Sequence, residues 1–116
     1  MTHHAIHRDS QMQACIDACT ECHAVCLETM NYCLSQGGQH AAPEHIALLS
    51  ACADICATSA DAMLTGASVS PVICGTCAEV CRKCAQSCER MGDDAQMKHC
   101  AEVCMRCAES CATMVA

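Results

Sequence analysis

The stretch CGTCAEVCRKCAQSC, residues 74–88, places cysteines at 74, 77, 81, 84 and 88. The steps alternate between three and four residues. That is the spacing of the buried seam of a bundled helix, the row that normally carries Leu and Ile. Glu79, Arg82, Lys83, Gln86 and Glu89 fall between the cysteines and suit water. The segment predicts an amphipathic helix whose core stripe is thiol instead of hydrocarbon.

The same frame recurs outward from this stretch. CAEVCRKCAQSCERM (77–91) and CAEVCMRCAESCATM (100–114) are near copies, and CIDACTECHAVCLET (15–29) keeps the C-x3-C-x2-C-x3-C frame. CADICATSADAM, beginning at Cys52, fits it with Ser59 and Met63 in the last two cysteine places. Four copies of one unit predict four helices. The first starts at Asp9 or Ser10, either of which can cap it, and runs to about Gln36 before Gly37-Gly38. The second begins at Pro43, with Glu44 in its first turn, and runs to about Leu64, with Gly66 closing it. The third is capped by Ser70 ahead of Pro71 and runs to about Met91. Asp93 caps the fourth, Gln96 completes a capping box, and the helix runs to about Met114. Short connections predict an all-α, antiparallel up-down-up-down four-helix bundle with a cysteine-lined core. All 16 cysteines fall on the four stripes, and small residues such as Ala53, Ala78, Ala85 and Ala108 flank them.

Composition narrows the chemistry. The chain has 116 residues, the length of one small domain, with 8 Met, no Phe or Trp, and Tyr32 as its sole aromatic. Residues 1–8, carrying His3, His4 and His7, are expected to form a flexible tail, and residues 9–116 the bundle. A core of thiols buries little apolar area, so a second stabiliser is expected, either disulfides or metal. The formal charge of −7, with six Lys and Arg in all, argues against nucleic acid. No polybasic patch, signal peptide or stretch of transmembrane length is read, which points to the cytoplasm. In a reducing compartment many cysteines signify metal or redox chemistry. No Ser-His-Asp set, paired catalytic carboxylates or phosphate loop is present, so no enzyme is expected.

Four uses of the stripe compete, zinc and iron–sulfur counted as one. Simple packing is poorly served by thiols, since Leu packs better and does not oxidise. Disulfides fit i, i+4 pairs on one helix badly, and a helical hairpin needs only four cysteines. Zinc sites of four thiolates would each bury a net negative charge. Iron–sulfur clusters favour loop-borne cysteine runs. Soft Cu(I) suits thiolates and thioethers. About one Cu(I) per thiolate leaves both the protonated empty core and the filled core near neutral.

The repeated C-x3-C-x2-C-x3-C frame resembles that of the bacterial copper storage proteins, cysteine-lined four-helix bundles, and in particular their cytosolic type. The resemblance spans about residues 10–114. It implies storage of many Cu(I) ions, with ligands Cys15, Cys19, Cys22, Cys26, Cys33, Cys52, Cys56, Cys74, Cys77, Cys81, Cys84, Cys88, Cys100, Cys104, Cys107 and Cys111. It also implies a homotetramer, and His or Met residues at the end that admits copper. One end of the expected bundle gathers Met12, Met63 and Met114. The other gathers Cys33, His45, Met91 and Met97, with His40 and His99 nearby, and is the preferred mouth because it has both residue types. Thr29, Leu49 and Ser59 interrupt the thiol ladder. Copper chaperones or efflux proteins are the expected partners, without nucleic acid or membrane. A thiol/disulfide redox protein or disulfide-clasped structural protein is the alternative.

Overall fold

The computed structural model describes residues 8–115. The His3/His4/His7 segment lies outside them. Helix α1 spans Ser10–Gln36, α2 Pro43–Leu64, α3 Ser70–Glu89 and α4 Ala95–Ala112. A single 3-10 turn, Gly38–Ala41, occupies the α1–α2 connection. Each helix packs against two others in a square, α1 on α2, α2 on α3, α3 on α4, and α4 back on α1. This is the antiparallel up-down-up-down bundle that short connections demand.

The helix ends follow local chemistry. Asp9 caps α1, its carboxylate accepting from Gln11 N–H at 2.7 Å. Gly37 ends α1 at φ +71°, where a side chain would be strained. Pro43 opens α2, which needs no N–H there, and Glu44 sits favourably in the first turn. Gly66, at φ +69°, lets Ala67 N–H reach back to Ala62 C=O at 2.9 Å and close α2.

Three boundary expectations are corrected. Ser70 does not cap α3: it is the first helical residue, and its hydroxyl donates to Ala67 C=O at 2.7 Å across the tight turn. Asp94, not Asp93, caps α4, accepting from Met97 N–H at 3.1 Å, while Asp93 turns out to an exposed pair with Lys98. The capping box does not form, because Gln96 donates instead to the buried Thr29 hydroxyl at 2.9 Å. A hydroxyl with no exposure needs that partner more than a helix end in water does. α3 and α4 also stop about one half-turn early, at Glu89 and Ala112.

A fourth correction concerns α2. With its charges confined to a few positions, it is long and apolar enough to span a membrane by length and composition. In the bundle its stripe of Leu49, Cys52, Cys56, Ser59 and Met63 is buried against the other helices.

The core is sulfur. All sixteen cysteines have 0% exposure, joined by Leu49, Met97 and Val103. Ala53, Ala78, Ala85, Ala101 and Ala108 are buried beside the stripes. Small side chains at these positions let the helices approach closely, which brings sulfurs of different helices into contact. Glu21, Glu28, Glu79, Glu102 and Glu109 all lie on the solvated exterior.

Candidate metal centre

The stripe converts sequence spacing into a continuous column of sulfur. Near the middle, Cys56 Sγ lies 3.7 Å from the Sγ of Cys77, Cys81 and Cys107. Cys22 stands 3.8 Å from Cys52 and 3.7 Å from Cys104. Cys52 meets Cys81 at 3.6 Å. Toward the α1 N-terminus, Cys111 is 3.6 Å from Cys15 and 3.5 Å from Cys19, and Cys19 is 3.6 Å from Cys107. Neighbours on one helix, such as Cys77 and Cys81 at 3.8 Å, complete the contacts.

Five groups have sulfurs mutually within 4.8 Å, close enough to share one ion. Four hold four thiols each: Cys19/Cys77/Cys107/Cys111, Cys22/Cys26/Cys52/Cys104, Cys22/Cys52/Cys56/Cys81 and Cys56/Cys77/Cys81/Cys107. The fifth is the trio Cys15/Cys74/Cys111. Shared members make these groups overlapping stations of one network. Cys84, Cys88 and Cys100 continue it toward the far end, equally buried, with Cys100 Sγ 4.0 Å from Cys104.

The thiols influence one another's protons. Cys56 and Cys104 are pushed well up, first by contact with Cys107 and Cys100 respectively, then by other thiols and by burial. Cys19 and Cys22 are pushed down, first by contact with Cys107 and Cys104. A thiolate among S–H donors is stabilised, and its neighbours then hold their protons more firmly. A metal ion bound by such thiols displaces their protons.

Cys33 closes the column with a different ligand set. Its Sγ is 3.4 Å from His45 Nε2 and 3.5 Å from Met97 Sδ. His45 is 3% exposed, and its Nδ1 is 2.7 Å from Ser87 Oγ. The tautomer protonated on Nδ1 donates to Ser87 and leaves the Nε2 lone pair facing Cys33, the form a metal requires. Burial holds the His45 pKa below the ordinary imidazole range, favouring the neutral ring. Burial likewise raises the Cys33 thiol to about 11. A depression of about 150 Å³ lies over His45, lined by Gln39, Glu44, Ser87, Arg90 and Met91.

Of the accessory residues expected from sequence, the structure brings His45 and Met97 to Cys33 and sets Met91 at the rim. His99 is exposed and turned away from the column. It precedes Cys100 in sequence, and adjacent helical residues do not share a face. Met12, Met63 and Met114 gather at the opposite end around a cavity of about 320 Å³. His23 is half-buried, its Nδ1 2.9 Å from the Ala53 carbonyl, and so ties α1 to α2. The interruptions also have places: Ser59 Oγ is 3.3 Å from Cys74 Sγ, and Leu49 fills its stripe position with no exposure.

Sequence reasoning missed Ser87 and the Asp94 junction. Asp94 accepts from Tyr32 OH at 2.6 Å and lies 3.0 Å from His40 Nε2. The Tyr32 contact, foremost, holds its carboxyl below the usual range. Ser87, next to Cys88 but off its stripe, offered no periodic signal.

Comparison with known proteins places this architecture. The chain is 39% identical over 67 residues to YhjQ, an uncharacterized cysteine-rich protein of Bacillus subtilis strain 168, a match spanning 58% of this chain and 62% of that protein. Nmul_A1745 of Nitrosospira multiformis superposes with a TM-score of 0.86 at 46% identity, covering 93% of this chain and 97% of that one. The Cu(I)-bound copper storage protein BsCsp3, from Bacillus subtilis, superposes at 0.85 with 36% identity, covering 92% and 100%. A cytosolic copper storage protein from Streptomyces lividans, described with five coppers, superposes at 0.83 with 30% identity, covering 90% and 92%. The profile of the Csp family, "Copper storage protein", matches residues 8–116, and the chain belongs to that family.

Proposed function

We propose that the protein stores Cu(I), holding many ions on the thiolates of its core column. The observation that carries this is the column itself: sixteen fully buried thiols from all four helices, twelve of them in overlapping groups of three and four. Cu(I) is soft and accepts two or three sulfur ligands, so overlapping groups can serve as successive sites. One proton leaves for about each Cu(I) bound, so filling buries little net charge. Solved relatives described as Cu(I)-bound and as carrying five coppers support the reading.

Copper enters, in this proposal, at the end where His45, Met97 and Cys33 converge beneath Met91. His45 and Met97 offer uncharged donors that hold an arriving ion before thiolates take it. The compartment is the cytosol, where free thiols persist. The Streptomyces relative's description as cytosolic agrees with this. The assembly is a homotetramer, as the family resemblance implies, and copper chaperones or efflux proteins deliver and collect the cargo.

The test is an anaerobic titration of the fully reduced chain with Cu(I) against a chromophoric Cu(I) chelator. Storage requires the chelator to stay empty until about one copper per cysteine has been added. A chelator that wins after one or two equivalents would sink bulk storage and favour thiol/disulfide chemistry.

A further inference from the structure

The cysteine groups of the column are not alike. Four of them hold four thiols, whereas Cys15, Cys74 and Cys111 stand as a trio with sulfurs mutually within 4.8 Å. Each comes from a different helix, α1, α3 and α4. At that level α2 supplies Ser59, in a cysteine place of its repeat, and its Oγ lies 3.3 Å from Cys74 Sγ. The three sulfurs are fully buried. One helical turn outward, a cavity of about 320 Å³ opens between Met12, Met63, Met114 and the turn Gly66–Ser68. No charged residue lines it.

Net charge is costly to bury, so three buried thiolates favour an occupant that cancels their charge. Among the described residues no Lys or Arg is buried, and so none is there to offset them. A single Cu(I) on the trio leaves two negative charges. A single Zn²⁺ leaves one, and it also asks for a fourth ligand. A soft trivalent centre leaves none. Trivalent arsenic bonds to three sulfurs in a pyramid, and its lone pair takes the fourth position, where no ligand is wanted. In water near neutral pH it is the uncharged hydroxide As(OH)₃. An uncharged molecule passes a cavity without charged walls and reaches buried sulfur at far less cost than an ion.

We propose that Cys15, Cys74 and Cys111 form a three-thiol site for trivalent arsenic, taken up as its uncharged hydroxide. The reaction is ligand exchange: As(OH)₃ and three thiols give one arsenic bound to three sulfurs, and three waters. Three As–O bonds break and three As–S bonds form, and each thiol proton leaves on a hydroxide as water. Arsenic stays trivalent, so no oxidant or reductant is called for. The site is neutral before the exchange and neutral after it. Ser59 suits this occupant, because its hydroxyl adds no fourth thiolate and no further negative charge. The inference goes beyond the storage reading and does not depend on it.

The experiment titrates the full-length reduced chain, free of copper, with sodium arsenite under anaerobic conditions. Native mass spectrometry is expected to show a first adduct that gains one arsenic and loses three hydrogens. X-ray absorption at the arsenic edge is expected to find three sulfur neighbours and no oxygen. Anomalous diffraction at the same edge, from crystals of the wild-type chain loaded with one equivalent, is expected to place the arsenic among Cys15, Cys74 and Cys111. Cys74→Ser, verified as helical by circular dichroism, is expected to lose the first adduct. No adduct, oxygen retained on the arsenic, or arsenic located in one of the four-thiol groups would overturn the proposal. So would a folded Cys74→Ser chain that takes the first equivalent as the wild type does.

Discussion

Cys33 Sγ and His45 Nε2 lie 3.4 Å apart across the α1–α2 turn, an imidazole set against the last thiol of the column. Ser87 fixes the other face of that ring. Burial lowers the His45 pKa, so the unfolded chain binds the proton more readily than the folded one. Stability from this group is therefore present above the unfolded pKa of about 6.5 and is lost as pH falls below it. The unfolding free energy of the reduced apo protein is expected to fall from pH 7 to pH 5, by at most about 1.4 kcal/mol per pH unit from this residue, and the melting temperature to fall with it. His45→Gln should flatten that part of the profile, as measured by thermal denaturation across the pH series.

Ser59 interrupts the α2 thiol ladder while lying 3.3 Å from Cys74 Sγ. Ser59→Cys exchanges oxygen for sulfur at a position already buried among thiols. Copper capacity in the chelator competition should rise by about one ion per chain. An unchanged capacity would mean that the Cys15/Cys74/Cys111 group is filled without needing a fourth sulfur.

Asp94 caps α4 and gathers Tyr32 and His40, whereas the adjacent Asp93 pairs only with exposed Lys98. Asp94→Ala is expected to lower the melting temperature clearly more than Asp93→Ala, since it frees a helix end and two side chains at once. Equal effects in side-by-side melts would show that the junction contributes nothing beyond ordinary surface charge.

All sixteen thiols are fully buried. A thiol reagent added to the native reduced protein should therefore react slowly, and should titrate sixteen thiols once denaturant is present. Cu(I) loading, followed in weakly buffered solution, should release about one proton per ion. Fast labelling of many thiols in the native state would contradict the burial.

The bundle was legible because cysteine does here what Leu does elsewhere: it marks one face of each helix at steps of three and four. The column followed from the same marks, and every cysteine lies where its stripe placed it. What escaped was decided across helices. Thr29 needed a partner for its buried hydroxyl and took Gln96, and so removed a capping box that residues 93–96 alone had suggested. The Asp93-Asp94 pair offers two caps one residue apart, and only the reach of Tyr32 and His40 chooses between them. His99 counted as an accessory ligand because it falls at the end of the bundle that holds both His and Met, yet one helical step from Cys100 turns it to water. Ser87 has no periodic signature at all. Its role exists only because α2 sets His45 opposite it.

The close approach of the helices has a further consequence. Sulfurs from different helices already stand 3.5–3.8 Å apart, a gap that two metal–sulfur bonds of about 2.3 Å can span. On the storage proposal, loading exchanges protons for metal at spacings the bundle already has and calls for no swelling. A bundle filled in this way would keep the same exterior from empty to full. On that proposal a protein docking on the flank meets one surface whatever lies within, and any fuel gauge of the store is confined to its two ends.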